Sequence, residues 1–209
     1  MPNTTRLIYV HDPMCSWCWG FRPTFTDLCR QLPARVKVAR LLGGLAPDSD
    51  QAMPAELQSK LQDAWRRIQT RIPGTRFNFD FWDHCKPRRS TWPACRAVIV
   101  ARQTDHSLED PMIQAIQQAY YLDARNPSDT DTLVSLASQL GLDGADFASR
   151  LHTAETRVLL EQEIAQARRI GADSFPSLRL QIGDSFFPVP VDYTQVEPML
   201  ESIQALLEN

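Results

Sequence analysis

The chain of 209 residues lacks long hydrophobic runs and a strong excess of charge of either sign. No stretch approaches the roughly 18 consecutive apolar residues that a membrane-spanning helix needs. The 22 Lys and Arg residues against 25 Asp and Glu residues leave a formal net charge of −3, so we expect neither nucleic acid nor a membrane as a partner. Apolar residues make up 43% and charged residues 22%, which is typical of a globular chain and excludes a disordered one.

Cysteine is also scarce, at five residues. This number is too low for a disulfide scaffold, and an odd number cannot be fully paired. A secretory signal is not expected at the start of the sequence, because the apolar run Leu7–Val10 is too short for one. We therefore expect a cytoplasmic protein, in which thiols are kept reduced and a close cysteine pair indicates catalysis or metal binding.

The first 44 residues predict a compact β-α-β unit. Arg6–Val10 is rich in Ile, Tyr and Val, and Val36–Leu42 alternates apolar with basic side chains, so both segments are predicted strands. Between them, a helix is predicted to begin near Cys15 and to end before Pro33.

The rest of the chain predicts helices and then a hairpin. Residues 45–170 show apolar side chains at every third or fourth position and no convincing strand. The tail predicts strands Ser177–Ile182 and Ser185–Val191 and a final amphipathic helix. Because a hairpin joins a sheet easily through antiparallel pairing, we predict an α/β fold with one mixed sheet. Residues 1–44 and 171–209 then form one domain, into which the helical segment is inserted.

The strongest chemical signal is Cys15-Ser16-Trp17-Cys18, which follows a predicted strand and opens a predicted helix. At a helix N-terminus, the free N–H groups of Trp17 and Cys18 are expected to point at the Cys15 sulfur and to favour its thiolate. Cys18 lies one turn further on, more buried but within reach of Cys15. The motif therefore predicts Cys15 as a nucleophile and Cys18 as the thiol that resolves a mixed disulfide.

Two other interpretations of this pair stay open, namely packed core cysteines and metal ligands. A metal site needs further ligands, and the other Cys/His cluster, His84-Cys85 followed by Cys95, does not have the spacing of a zinc knuckle. We therefore expect no metal and no bound cofactor. Cys85 and Cys95 could instead form a second redox pair, and Cys29 is predicted to be a small core residue.

Residues next to the motif also allow two interpretations. Trp17 is predicted to be exposed, where it either contacts a substrate or packs on the inserted helices. His11 is a strand-end residue or a proton relay, and Asp12 is a turn residue or a base. A second signal is Gly171-Ala-Asp-Ser-Phe175-Pro176-Ser177-Leu178, in which the proline before a strand is either an ordinary turn proline or a cis-proline.

In their order along the chain, these two motifs resemble the thioredoxin superfamily. Pro23 follows Cys18 by five positions, and the superfamily places a Gly-x-x-x-apolar-cisPro-Thr/Ser-apolar segment opposite its CxxC motif. The 161 positions from Cys15 to Pro176 are too many for a plain thioredoxin and match the helical insertion of the DsbA branch. The segment from Asp12 to Phe21 is similar to a cytosolic DsbA-like subgroup of predicted protein-disulfide isomerases, related to FrnE-type proteins.

The resemblance implies a thioredoxin-like fold and a thiol–disulfide oxidoreductase that acts on protein or peptide disulfides or on small thiols. It implies a cis bond before Pro176, which would turn the Phe175 backbone towards an extended substrate. Ser16, Trp17, Phe175 and Pro176 would then bind the substrate, and glutathione is a candidate co-substrate. Ser16-Trp17 replaces the Pro-His dipeptide of periplasmic DsbA, so the strongly oxidising character of that protein is not implied here.

Two other functions remain open from the sequence. Glutathione-dependent transferases and isomerases of the kappa-class type share this fold and insertion, but they usually carry Ser where Cys15 stands and lack the second cysteine. A non-enzymatic module that binds a metal or a protein partner would use the same cysteines as ligands or as packing. The oligomeric state is left open.

Overall fold

The computed structural model describes residues 5–208, which form four strands, nine α-helices and one short 3-10 helix (His106–Leu108) in that range. The elements are β1 (Thr5–His11), α1 (Ser16–Gln31), β2 (Lys37–Leu42), α2 (Ala55–Arg71), α3 (Asp80–His84), α4 (Trp92–Thr104), α5 (Glu109–Tyr121), α6 (Thr130–Gln139), α7 (Gly144–Leu151), α8 (Ala154–Arg169), β3 (Ser177–Ile182), β4 (Ser185–Val189) and α9 (Glu197–Glu208). Among these described residues, no helix is long and apolar enough to cross a membrane.

The four strands form one mixed sheet in the order β2-β1-β3-β4. β1 pairs in parallel with β2 and antiparallel with β3, and β4 returns antiparallel to β3. This topology confirms the predicted α/β, thioredoxin-like fold with a helical insertion. β4 is shorter than predicted and ends at Val189, because Pro190 has no N–H to continue the ladder. Pro188 lies within this outer strand, opposite Arg179.

Successive side chains of β1 point to opposite faces of the sheet, as in any β-strand. Leu7 and Tyr9 pack in a core with residues of α1 and α9. Ile8 and Val10 pack on the opposite face with Ala167 and neighbouring residues at the end of α8. The residues that follow β1 therefore begin between two hydrophobic cores, one on each face of the sheet.

The chain divides into two compact units, one comprising residues up to Gly43 and from Glu163 onwards, and the other Gly44–Gln162. The first unit holds the sheet, α1, α9 and the second half of α8. The predicted domain limits at 44/45 and 170/171 stay a prediction.

The helical unit has its own core around Trp65, which is stacked on Phe77 with ring centroids 4.8 Å apart. Phe77 and Phe81 of the aromatic connector 77–82 are both buried in it. The end of this connector forms the short helix α3, which periodicity did not predict. Buried Arg96 of α4 binds the Asp48 carboxylate through two hydrogen bonds of 2.8 and 2.9 Å. This ion pair holds the segment at the start of the helical unit against α4.

Candidate active site

The Cys15 backbone begins α1 immediately after β1. Cys15 is the residue before the first helical turn, with an extended backbone of φ −82° and ψ 114°. Its N–H donates to the Asp12 carbonyl over 3.0 Å, and its own carbonyl accepts from Trp19 over 3.0 Å. The buried Asp12 carboxylate accepts from the Met14 N–H over 2.8 Å. Asp12 therefore stabilises the turn that presents Cys15, as the turn interpretation of this residue requires.

The two thiols of the motif differ in exposure. Cys18 is 0% exposed and Cys15 is 6% exposed, so the Cys18 sulfur is the inner one. Burial raises the pKa of the Cys18 thiol well above its usual range. Its hydrogen bond to Cys15 and the Cys15 charge raise this pKa further, whereas hydrogen bonds from the Asp12 backbone and the Tyr9 hydroxyl act against the rise. The Cys18 thiol therefore stays protonated at neutral pH, and its S–H donates a hydrogen bond to the Cys15 sulfur.

The Cys15 sulfur faces a carbonyl oxygen rather than the helix N–H groups. Its thiol donates to the Phe175 carbonyl, with sulfur and oxygen 3.7 Å apart. Within residues 5–208 the Cys15 side chain caps no N–H group of α1, so the expected contacts from Trp17 and Cys18 are not made. The Cys15 sulfur therefore lies against the loop that carries Phe175 and not against the N–H groups of the first turn of α1.

Phe175 and Pro176 come from the loop between α8 and β3. Of the two interpretations that the sequence left open, the structure has the cis-proline, because the Phe175–Pro176 peptide bond is cis. Pro176 is buried and Phe175 is half-buried. The chain thus brings together Cys15, Cys18, Phe175 and Pro176, although 160 positions separate Cys15 from Phe175.

Sequence reasoning missed Tyr9, whose hydroxyl donates a hydrogen bond to the Cys18 sulfur. The Tyr9 ring is buried and stacked on His11, with centroids 4.9 Å apart and an interplanar angle of 13°. Burial above all raises the pKa of Tyr9, so its phenol stays protonated and acts as a donor. A chain of hydrogen bonds therefore runs from Tyr9 through Cys18 and Cys15 to the Phe175 carbonyl. The alternation of β1 would have placed Tyr9 on the α1 face, but nothing in the sequence pairs it with Cys18.

Trp17 is less exposed than predicted. Ser16 and Trp17 are both half-buried, and the Trp17 ring packs on Tyr193 with centroids 5.1 Å apart. Tyr193 lies in the segment between β4 and α9, and its carbonyl accepts from the Thr24 hydroxyl over 2.6 Å. The Trp17 partner therefore belongs to the sheet-containing unit, and no local pattern around Tyr193 marks it.

Arg179 holds the loop that carries Phe175, and sequence reasoning missed this residue too. Its guanidinium donates to the carbonyl of Ile170 over 3.0 Å and to the carbonyl of Gly171 at the end of α8. Gly171 has φ +71°, the left-handed backbone that commonly ends a helix. A cation at these carbonyl groups also matches the negative end of the helix dipole.

The other three cysteines lie apart from this pair. Cys29 is half-buried against the α1 core, Cys85 at the end of α3 donates to the Ala124 carbonyl over 3.1 Å, and Cys95 is fully buried in α4. Within residues 5–208, none of the five cysteines forms a disulfide. In the part of the chain that the structure describes, no group of three or more His, Cys, Asp or Glu side chains could hold a metal ion.

The family described as the DSBA-like thioredoxin domain matches residues 6–191 of this chain. Two curated relatives are both named ClpXP adapter protein SpxH. The protein from Halalkalibacterium halodurans is 22% identical over 170 residues, or 79% of this chain and 55% of that protein. The one from Bacillus subtilis is 23% identical over 201 residues, or 92% and 65%. This chain thus spans less than two thirds of the length of either relative.

Solved structures share the fold over nearly the whole chain. A candidate protein disulfide isomerase from Nitrosomonas europaea superposes with a TM-score of 0.84 at 24% identity, covering 98% of both chains. The cytosolic disulfide reductase DsbM from Pseudomonas aeruginosa, solved with GSH, gives 0.72 at 25% identity, covering 98% of this chain and 100% of DsbM. A 2-hydroxychromene-2-carboxylate isomerase gives 0.64 at 12% identity, covering 97% of this chain and 95% of the isomerase.

Proposed function

Because the chain belongs to the family of DSBA-like thioredoxin domains, we propose that it is a thiol–disulfide oxidoreductase with Cys15 as the nucleophile and Cys18 as the resolving thiol. One observation carries this proposal. Two hydrogen-bonded thiols of unequal exposure lie at a strand–helix junction, and the outer thiol meets the carbonyl before a cis-proline. This arrangement suits a two-step exchange, because Cys15 keeps 6% exposure and the fully buried Cys18 thiol lies next to it.

In the first step the Cys15 thiolate attacks one sulfur of a substrate disulfide. The substrate S–S bond breaks, a Cys15–substrate disulfide forms, and the other substrate sulfur leaves as a thiolate that takes up a proton. Cys18 then loses its proton and attacks the Cys15 sulfur. The mixed disulfide breaks, the second substrate sulfur leaves as a thiol, and a Cys15–Cys18 disulfide forms. The substrate disulfide is thereby reduced by two electrons, and the Cys15–Cys18 pair is oxidised by two electrons.

A second reductant must return this disulfide to two thiols. A small thiol such as glutathione is the proposed co-substrate, and the cytosolic reductase DsbM, which has the same fold, has been solved with GSH. That protein also supports the proposal of a cytoplasmic location. Protein or peptide disulfides and small-thiol disulfides are the proposed substrates.

The substrate is proposed to lie across Ser16, Trp17, Phe175 and Pro176. When Cys15 is a thiolate it no longer donates to the Phe175 carbonyl, which then becomes available to a backbone N–H of an extended substrate. The half-buried Trp17 ring, which packs on Tyr193, is the proposed apolar contact for the substrate.

The test is the reduction of insulin, or of a small mixed disulfide, in the presence of glutathione. Cys15→Ser is expected to lower the rate to that of buffer and glutathione alone, because serine does not exchange with disulfides. Cys85→Ser is the matched control and is expected to keep the wild-type rate. Full activity in Cys15→Ser would show the mechanism to be wrong.

A glutathione-dependent transferase or isomerase is the second candidate, supported by the fold shared with 2-hydroxychromene-2-carboxylate isomerase. The presence of both Cys15 and Cys18 favours disulfide exchange instead. Turnover of an aromatic electrophile with glutathione, retained in Cys18→Ala, would favour this candidate.

A further inference from the structure

The Phe175 ring lies directly against Gly43, the residue that follows β2. A Cβ atom placed on Gly43 would lie 2.0 Å from Cε1, 2.2 Å from Cζ and 2.7 Å from Cδ1 of that ring. Non-bonded carbon atoms optimally lie about 3.5 to 4.0 Å apart, so any side chain at position 43 must displace the ring. Only hydrogen at position 43 leaves room for the ring where it is.

The backbone at Gly43 is held in place from two sides. Its N–H donates to the His11 carbonyl over 2.7 Å, which extends the pairing of β1 with β2. The neighbouring Leu42 N–H donates to the Glu163 carboxylate over 2.8 Å. The ring in turn packs on the core that contains Ala167 and Ala172. A side chain at position 43 would therefore move Phe175 rather than the strand.

The residue to which this ring belongs also carries the carbonyl that accepts from the Cys15 thiol. We propose that Gly43 is a positioning residue: by seating the Phe175 ring, it places the Phe175 carbonyl over Cys15 for disulfide exchange. This inference rests on the proposed function for its consequence in activity. The contact itself is independent of any activity.

Gly43 allows a clean substitution. Five other glycines in the described range have a positive φ between 60° and 87°, where alanine would strain the backbone, but Gly43 is not among them. The effect of Gly43→Ala should therefore come from the ring contact alone. Removing the ring should remove that effect, which makes Gly43 and Phe175 suitable for a double-mutant cycle.

The experiment compares wild type, Gly43→Ala, Phe175→Ala and the double variant. Glutathione-dependent disulfide exchange is measured in each, the amide signal of Cys15 is followed by NMR, and thermal unfolding identifies folded samples. Gly43→Ala is expected to slow exchange about 10- to 100-fold, the size of loss that a displacement of about 1 Å can cause. It is also expected to shift the Cys15 amide signal.

The double variant is expected to be no slower than Phe175→Ala alone, because without the ring the added methyl group meets no obstacle. Multiplicative losses in the double variant, or a wild-type rate and Cys15 signal in Gly43→Ala, would overturn the proposal. If wild-type protein shows no exchange activity, the proposed function is wrong, while the Cys15 amide signals of the four proteins still decide whether Gly43 seats the ring.

Discussion

Cys15 and Cys18 share one helical turn at the start of α1, whereas Cys85 and Cys95 lie on separate elements, at the end of α3 and within α4. In the first pair the thiols are hydrogen-bonded to each other. In the second, the Cys85 thiol donates to the Ala124 carbonyl and Cys95 is fully buried. The strand–helix junction thus places two thiols in contact, whereas the Cys85 thiol is directed at a backbone carbonyl.

The direction of the pKa shift does not distinguish Cys18 from Cys85. Burial raises the pKa of Cys85, and the Asp129 carboxylate adds to the rise, so Cys85 shares its direction of shift with Cys18. The difference lies in what each sulfur faces: a second thiol for Cys18, a backbone carbonyl for Cys85. A raised thiol pKa alone therefore does not identify a redox site.

The largest difference between the pairs should appear when one member is removed. Cys18→Ala is expected to let Cys15 attack but to prevent resolution, so the Cys15–substrate disulfide accumulates and turnover of a protein disulfide falls at least about tenfold. Non-reducing gels and mass spectrometry detect the trapped species. Cys95→Ala is the matched control from the other pair. Equal trapping in both variants, or none in Cys18→Ala, would contradict the assignment.

A smaller effect is expected in the pH dependence of stability. The raised pKa means that folded protein keeps the Cys18 proton at a pH where the unfolded thiol, which titrates at about 8.5, has lost it. The free energy of unfolding of reduced protein should thus be constant below that pH and fall above it, by up to about 1.4 kcal/mol per pH unit.

Urea unfolding of reduced protein between pH 7 and 9.5 measures this slope. Cys18→Ala should flatten it, while Cys85→Ala should leave most of it in place because Cys85 is half-buried rather than enclosed. An unchanged slope in Cys18→Ala would show that another group titrates there.

The smallest effect is expected on removal of the Tyr9 hydroxyl, which donates to the Cys18 sulfur. Tyr9→Phe removes the donor to Cys18, and one such hydrogen bond is worth about 0.5 to 1.5 kcal/mol. Resolution of the mixed disulfide should slow about two- to tenfold, because the Cys18 thiolate loses a stabilising contact, while the first attack keeps its rate. Rapid-quench measurement of the two steps separates them. Tyr120→Phe in the helical unit should change neither step, and a slower first step in Tyr9→Phe would argue against this role.

The features that could be predicted from the sequence are local ones. Strand alternation and the position of the CxxC motif between a strand and a helix predicted β1, α1 and β2 to within a few residues. The mixed sheet was predicted because a hairpin joins a sheet easily through antiparallel pairing. Such patterns involve residues that are close together in the sequence, so they can be recognised without knowing the tertiary structure.

The contacts that complete the candidate site could not be predicted in this way. Phe175 reaches Cys15 from 160 positions away, and Tyr193 reaches Trp17 from beyond β4. No periodicity links such partners, because their pairing depends on how the elements pack. The residues alone likewise left the cis bond before Pro176 as one of two interpretations, and only the resemblance to the thioredoxin superfamily implied it.

The proline within β4 has a consequence for behaviour at high concentration. β4 is an outer strand of the sheet, and Phe186 and Phe187 on it are 37% and 36% exposed. An open strand edge with neighbouring aromatic side chains is a template on which further copies can add and grow into aggregates. Pro188 sits between these phenylalanines and Val189 and removes one N–H donor from the strand. We therefore expect Pro188 to lower the tendency of this strand to pair with further copies of the chain.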